Sequence, residues 1–481
     1  GLPAAGAERA DAPPEGAWQV VCPRWGPANA AGATWCSGCW GRLKAVEVVS
    51  AQEAVRLAEA AARRRRRGRR VRYGLSAAGA VLLALVTLYN ALNLSIAIPR
   101  TTSTLTSASG PGEWALLGRD LGRTGYAPGP APRPRGEVRW RFETGEPLLA
   151  APALAGGRVY QPTGDRRVVA LDAATGDVVW EQRVTGPVDA TPAVAGETVY
   201  VGLRDGRLLA LARETGAVRW AHESGGPIFS SPVVAQGAVF FGSGASKVHA
   251  VDARTGEPLW EYLTDGWVVS SPAVEGDIVA VGGMDGHLYL LDRRTGKLRL
   301  MFNAVFSIQG TTVVAEEKVY VATRTGAVRA VDIHQREVPF DRAVRTIWLQ
   351  FWVWGLSGPP PMPRGFIWST GGPRTLATGG VAVAGERVLV ADTDGVVRAL
   401  DAATGDEEWR FEAERGVRAT PIVAGETVYV GDVGGTVYGL ELATGREVFR
   451  FATGGPIVSS PVYGDGVLYV AAGDGVLYAI E

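Results

Sequence analysis

The stretch Ala170-Leu171-Asp172-Ala173-Ala174-Thr175-Gly176-Asp177-Val178-Val179-Trp180 recurs along the chain at a fixed distance. Ala250 to Trp260 and Ala399 to Trp409 repeat its pattern in full, and Ala210 to Trp220 departs from it at Ala212, where the aspartate would stand. Thr-Gly pairs begin at Thr175, Thr215, Thr255 and Thr295, 40 residues apart, and resume at Thr404 and Thr444 with the same spacing. Five residues after these threonines come Trp180, Trp220, Trp260, Leu300, Trp409 and Phe449. A second marker runs in phase: Pro152, Pro192, Pro232 and Pro272, then Thr312, Val381, Pro421 and Pro461. Between Thr295 and Thr404 lie 109 residues, two periods and 29 more, and Asp332-Ile333-His334-Gln335-Arg336 marks a degraded copy inside that gap. The reading is eight copies, with a 29-residue insertion between the fifth and sixth.

Each copy divides into four short strands. One follows the proline, a second reads Val199-Tyr200-Val201-Gly202, a third reads Leu208 to Leu211, and the tryptophan lies on the fourth. Asp205-Gly206, Asp285-Gly286, Asp394-Gly395 and Asp474-Gly475 supply the residues of tight hairpins. Four strands per period of about 40 is the arithmetic of a β-propeller blade, so the expected class is all-β with eight four-stranded blades. The last copy stops at Glu481 after its third strand, and Gly136-Glu137-Val138-Arg139-Trp140 offers the missing fourth. An N-terminal strand that closes the last blade removes an open sheet edge.

Ala-x-Asp-x-x-Thr-Gly-x-x-x-Trp resembles the tryptophan-docking motif of PQQ-like (quinoprotein-type) β-propellers, and Trp114 to Pro128 is similar to the segment that precedes their first blade. The resemblance covers residues 114–481. It implies that Trp140, Trp180, Trp220, Trp260 and Trp409 pack between blades as structural residues. Two functions stand open under it. Quinoprotein dehydrogenases of this superfamily hold PQQ and Ca²⁺ near the axis with an Asp base, and many place a Cys pair over the cofactor. The outer-membrane β-barrel assembly lipoprotein has eight such blades, binds no PQQ and presents loops to proteins. Here no Cys follows Cys39, no paired carboxylates at acid/base spacing, nucleophile elbow or phosphate loop is found, and nearly every blade is minimal. The four histidines (His222, His249, His287, His334) are scattered, with His249 and His287 reading as strand residues. The expected function is therefore a non-catalytic scaffold or sensor in envelope assembly or signalling; the alternative is a PQQ-dependent oxidoreductase.

The insertion, residues 341–369, concentrates large aromatics: Trp348, Phe351, Trp352, Trp354, Phe366 and Trp368, with Pro359, Pro360, Pro361 and Pro363 among them. Exposed apolar patches mark contacts, so this loop reads as a surface for a partner or a membrane, or as a plug folded into the propeller mouth.

Ahead of the repeats the composition changes. The whole chain balances 49 Lys+Arg against 49 Asp+Glu, but residues 1–100 carry 14 and 6 while residues 101–481 carry 35 and 43, so +8 and −8 cancel. Gly74 to Pro99 has no charged side chain, and about 20 apolar residues cross roughly 30 Å of hydrocarbon. Residues 74–96 therefore read as a transmembrane helix. Arg63 to Arg67, Arg69, Arg70 and Arg72 precede it, which predicts a cytoplasmic N-terminus, contact with anionic lipid, and an extracytoplasmic propeller. Ser50-Ala51-Gln52-Glu53 has the capping-box pattern and opens a basic helix over residues 50–72. Residues 97–113 read as a linker, and no nucleic-acid partner is expected.

Residues 1–17 read as a disordered tail and 18–43 as a small module. Cys36-Ser37-Gly38-Cys39 has the spacing with which two thiolates grip Zn²⁺. Cys22-Pro23-Arg24-Trp25 resembles the other knuckle of a zinc ribbon with its second Cys replaced by Trp. Cys22, Cys36 and Cys39 are thus candidate zinc ligands. Three cysteines cannot staple the chain with disulfides.

Overall fold

The computed structural model describes residues 19–22, 28–30, 33–36, 42–43, 48–91, 101, 103–107, 109–338, 341–371 and 379–481. The chain divides into two compact units, residues 1–95 and 96–481. The tail 1–17 lies outside the described residues.

In the first unit, strand Gln19–Val21 sits between Ala28–Ala30 and Val48–Val49, antiparallel to both. Val20 and Val21 are buried, and Asn29 Nδ2 donates to the carbonyl of Val20 at 3.3 Å. Helix α1, Ala51–Ala91, starts directly after Ser50, where the capping pattern puts it. It is one 41-residue helix, so the basic segment and the uncharged segment are not separate elements. The transmembrane reading is corrected: among the described residues no helix is long and apolar enough to cross a membrane. Near its start the uncharged part of α1 carries Gly74, Ser76, Ala77, Ala78 and Gly79, small or polar residues that dilute its apolar character. The single-pass topology drawn from the arginines falls with the span.

The second unit is an eight-bladed β-propeller. Blade 1 comprises Ala153–Ala155, Arg158–Thr163, Arg167–Asp172 and Val178–Arg183 in simple antiparallel order, and blades 2 to 4 repeat it. Blade 6 (Val381 to Glu412) does the same, and blade 7 (Ile422 to Ala452) adds the short strand Tyr126–Ala127, parallel to its first strand Ile422–Ala424. Blade 8 takes Val462–Gly464, Val467–Ala471 and Val476–Ile480 from the C-terminus and Val138–Glu143 from the N-terminal side, with Tyr478 opposite Arg141 and Ala479 opposite Trp140. Middle strands such as Thr198–Gly202 are buried on both faces, and outer strands such as Val178–Arg183 alternate, as expected where one sheet lies between two others.

Two features tie the blades at the centre. First strands of successive blades face one another, and hydroxyls link them one period on: Thr191 N donates to Ser231 Oγ, Ser231 N to Ser271 Oγ and Gly380 N to Thr420 Oγ1. The segment Leu105 to Ala127 then threads round these strands as a collar. It exchanges main-chain hydrogen bonds with Leu154, Val194, Val234, Val274, Val314, Val383 and Val423, one in each of blades 1 to 7. Gly122 is required there, because a Cβ would lie 2.2 Å from the carbonyl oxygen of Val314. Part of the expected linker 97–113 therefore belongs to the propeller.

The insertion interrupts blade 5 itself rather than separating two blades. The chain leaves after the third strand, Val328–Asp332, and returns as the fourth, Phe366–Ser369.

Candidate functional site

The repeated motif is a joint between blades. Asp172 Oδ1 accepts the amides of Ala174 and Thr175, which folds the turn, and Gly176 follows with φ +80°. The indole of the preceding blade lies against that glycine: a Cβ on Gly176 would stand 2.7 Å from Trp140 Cδ2. Its Nε1 donates to the carbonyl of Ala173 at 3.0 Å. Trp180, Trp220, Trp260 and Trp409 repeat the contact on Arg213, Ala253, Arg293 and Leu442 at 2.8–3.2 Å. Trp368 does so as well, donating to Ala402 at 3.1 Å and packing on Gly405. Trp368 is therefore corrected from a contact-loop residue to the docking tryptophan of blade 5. Phe366, half-buried on the same strand, packs against the core of blades 4 and 5. The available signal was that Trp368 stands 41 residues before Trp409, one period and one residue.

The remaining aromatics of the insertion form an arm. Helix α2, Asp341–Val353, ends in a Schellman cap: Gly355 has φ +71°, its amide bonds Trp352 O, and the amide of Leu356 bonds Phe351 O. Trp348 Nε1 reaches Gly358 O at 3.0 Å and seats the proline-rich return against the helix. Trp348, Phe351, Trp352 and Trp354 are 42–64% exposed. Side chains so exposed do not fill the propeller mouth, so the arm is not a plug.

A third grouping has no signature in the sequence. His249, on the third strand of blade 3, is 1% exposed and lies opposite both Phe241 and Glu261, on the same face of the sheet. Phe241 stacks on it at 4.8 Å between ring centres. Its Nε2 lies 2.9 Å from Ser243 Oγ, and its Nδ1 faces Glu261 Oε1 at 3.3 Å without a hydrogen bond. Burial, reinforced by His222 and Lys247, lowers the imidazole to about 4 against the pull of Glu261. His222, on the outer strand of blade 2, gives its Nδ1 proton to Gly256 O at 3.0 Å and leaves Nε2 buried without a partner. One ligand atom from each of His222, His249 and Glu261 lies within 4.8 Å of the others. No spacing rule links residues 27 and 12 apart in sequence; the joint between blades brings them together.

Cys22 and Cys36 are buried, and Cys39 lies outside the described residues. Arg123 is buried at the collar, its guanidinium fanned onto the carbonyls of Leu117, Ser231, Pro232 and Pro272. Burial lowers it to about 9. Among the described residues, the His222–His249–Glu261 grouping is the one trio of metal-ligating side chains, and it lies between the outer strand of blade 2 and the third and fourth strands of blade 3.

The architecture is that of the PQQ-like propellers. The model of the outer membrane protein assembly factor BamB matches residues 131–267, 264–363, 345–442 and 393–481, and the chain belongs to that family. Among solved structures, BamB from Moraxella catarrhalis is 20% identical, with a TM-score of 0.56 over 71% of this chain and 98% of its own. Quinohemoprotein alcohol dehydrogenase from Comamonas testosteroni is 17% identical, with a TM-score of 0.63 over 78% of this chain and 81% of its own. Both likenesses show the fold. No curated protein sequence matches significantly.

Proposed function

We propose that this chain is a non-catalytic, protein-binding propeller, a scaffold or sensor of envelope assembly or signalling, whose partner docks on the aromatic arm of blade 5. The observation that carries the reading is the exposure of Trp348, Phe351, Trp352 and Trp354 on a capped helix, while the other blades are minimal. Aromatic anchors of this kind concentrate binding energy in protein interfaces. The family match supports a partner in envelope assembly. The test is photocrosslinking in cells from a photoreactive residue at position 349, with and without the changes Trp348→Ser, Phe351→Ser, Trp352→Ser and Trp354→Ser. Loss of one discrete adduct with unchanged melting supports the reading; an unchanged adduct overturns the arm as the site. Alcohol-dependent dye reduction by the full chain supplied with PQQ and Ca²⁺ would overturn the non-catalytic assignment. Zinc at Cys22, Cys36 and Cys39 belongs to the same proposal as the folding ligand of the small unit, and Cys36→Ser should lower bound zinc per chain.

A further inference from the structure

The histidine pair occupies a slot that other blades fill differently. At the same positions of neighbouring joints stand Tyr262 with Tyr289, Phe411 with Tyr438, and Phe451 with Tyr478, their ring centres 5.3–6.0 Å apart. His222 and His249 sit 6.0 Å apart in the equivalent geometry. In the other three joints the polar end is satisfied inside its blade, with the phenols of Tyr289, Tyr438 and Tyr478 donating to Asp285, Asp432 and Asp474 at 2.5–2.9 Å. The histidine joint lacks that closure. Nε2 of His222 and Nδ1 of His249 are both buried with no hydrogen-bond partner. They converge where Glu261 also directs an oxygen. His222 Nε2 is thus left without any partner, and His249 Nδ1 has only the Glu261 carboxylate 3.3 Å away, so the three groups face one point that a cation would fill.

We propose that His222, His249 and Glu261 form a site for a borderline divalent transition cation of the Zn²⁺ type, clasping blade 2 to blade 3. Three features fit that chemistry. Two imidazoles and a carboxylate with a fourth position open to water is an established zinc ligand set. The nitrogens pointing away from the centre are held, by Gly256 O on one ring and Ser243 Oγ on the other, and such outer contacts fix the orientation of metal-bound histidines. Lys247 Nζ takes Glu261 Oε2 at 2.6 Å and leaves Oε1 to the site. Ligand atoms about 2 Å from a tetrahedral zinc lie roughly 3.3 Å apart. The His249–Glu261 separation, 3.3 Å, already has that value, and small side-chain rotations bring in His222.

The full chain, stripped with chelator and dialysed against micromolar Zn²⁺, tests the site by zinc per chain and by melting temperature with and without the metal. His222→Gln and Glu261→Gln, both at the solvent-facing rim, should each remove one equivalent and abolish the zinc-dependent rise in melting temperature. Ser243→Ala should weaken that equivalent about 10–100-fold. Because these are differences between full-length chains, zinc on the cysteines cancels. Unchanged stoichiometry in both His222→Gln and Glu261→Gln overturns the proposal. So does an equal loss of melting temperature with and without zinc, which would make the pair an aromatic filler. Neither comparison uses a variant of the fully buried His249, so a folding defect at that position leaves the test intact.

Discussion

Tyr200 and Trp220 donate to one acceptor: the phenol at 2.8 Å and the indole Nε1 at 3.2 Å both end on the carbonyl of Ala253 in the next blade. Tyr320 with Trp368 shares Ala402, and Tyr469 with Trp140 shares Ala173. A carbonyl has two lone pairs, so each joint saturates its acceptor, with the two rings 5.8–5.9 Å apart.

These phenols set the alkaline limit of the fold. Burial pushes Tyr200, Tyr320 and Tyr469 up to about 12, against an ordinary 10. A group raised in the folded state contributes stability that is complete below the unfolded value and lost as pH rises through the folded one. Stability should therefore decline between pH 10 and 12. Arg123, lowered from 12.5 to about 9, acts in the opposite sense, one group against three. Urea midpoints measured at pH 9, 10, 11 and 12 should fall over the last two steps; a flat or rising series refutes the account.

Trp368 and Trp352 make opposite predictions although both lie in the aromatic insertion. Trp368→Ala should destabilise by about 3–5 kcal/mol through the cavity it leaves, the Ala402 carbonyl keeping the phenol of Tyr320. Trp352→Ala, on the exposed arm, should stay within about 0.5 kcal/mol. Paired denaturant melts of the two variants decide the point, and similar losses would contradict the assignment of the two residues.

Gly216 has φ +72°, and a Cβ there would lie 2.5 Å from Trp180 Cε3. Gly216→Ala combines a left-handed backbone penalty of roughly 1–2 kcal/mol with overpacking of roughly 1–3 kcal/mol. A loss of about 2–5 kcal/mol is expected by equilibrium unfolding, whereas Gly157→Ala, with open space around its Cβ, should show only the backbone part.

Arg123→Met keeps volume but strips the donors from four carbonyls. Unsatisfied buried acceptors are costly, and a drop of about 2–4 kcal/mol is expected. Amide hydrogen exchange should locate the loosening at Val194, Val274 and Val314, whose amides bond to the collar. Uniform exchange across the unit would argue against a local role.

The period of 40, the four strands per blade and the shared last blade are legible because each blade restates one local solution of turn, glycine and tryptophan. Trp368 is hidden because its blade lost the Thr-Gly pair and put a helix in its place. The arm reads as an aromatic loop, yet the run Val344, Ile347, Trp348, Phe351, Trp352 has helical spacing. The collar has no periodic signal at all, since its hydrogen bonds are main-chain and its partners are one period apart in seven different blades. His222, His249 and Glu261 are ordinary strand residues until the joint between two blades juxtaposes them. The uncharged run after Arg72 matches a span by length in the sequence, yet its glycines, alanines and serine dilute the apolar character that a span takes.

Closure of blade 8 has a consequence for biogenesis. Thr144 Oγ1 bonds the carbonyl of Gly475, 331 residues later. At roughly 5–20 residues per second, the ribosome releases the first outer strand some 20–70 s before its partner exists. Throughout that interval Val138–Glu143 lacks its partner strand, and the collar gains its partners only one blade at a time. The nascent chain is therefore most vulnerable to misassociation at the segment made earliest, and a holdase that protects residues 105–143 during synthesis would raise the yield of closed propellers.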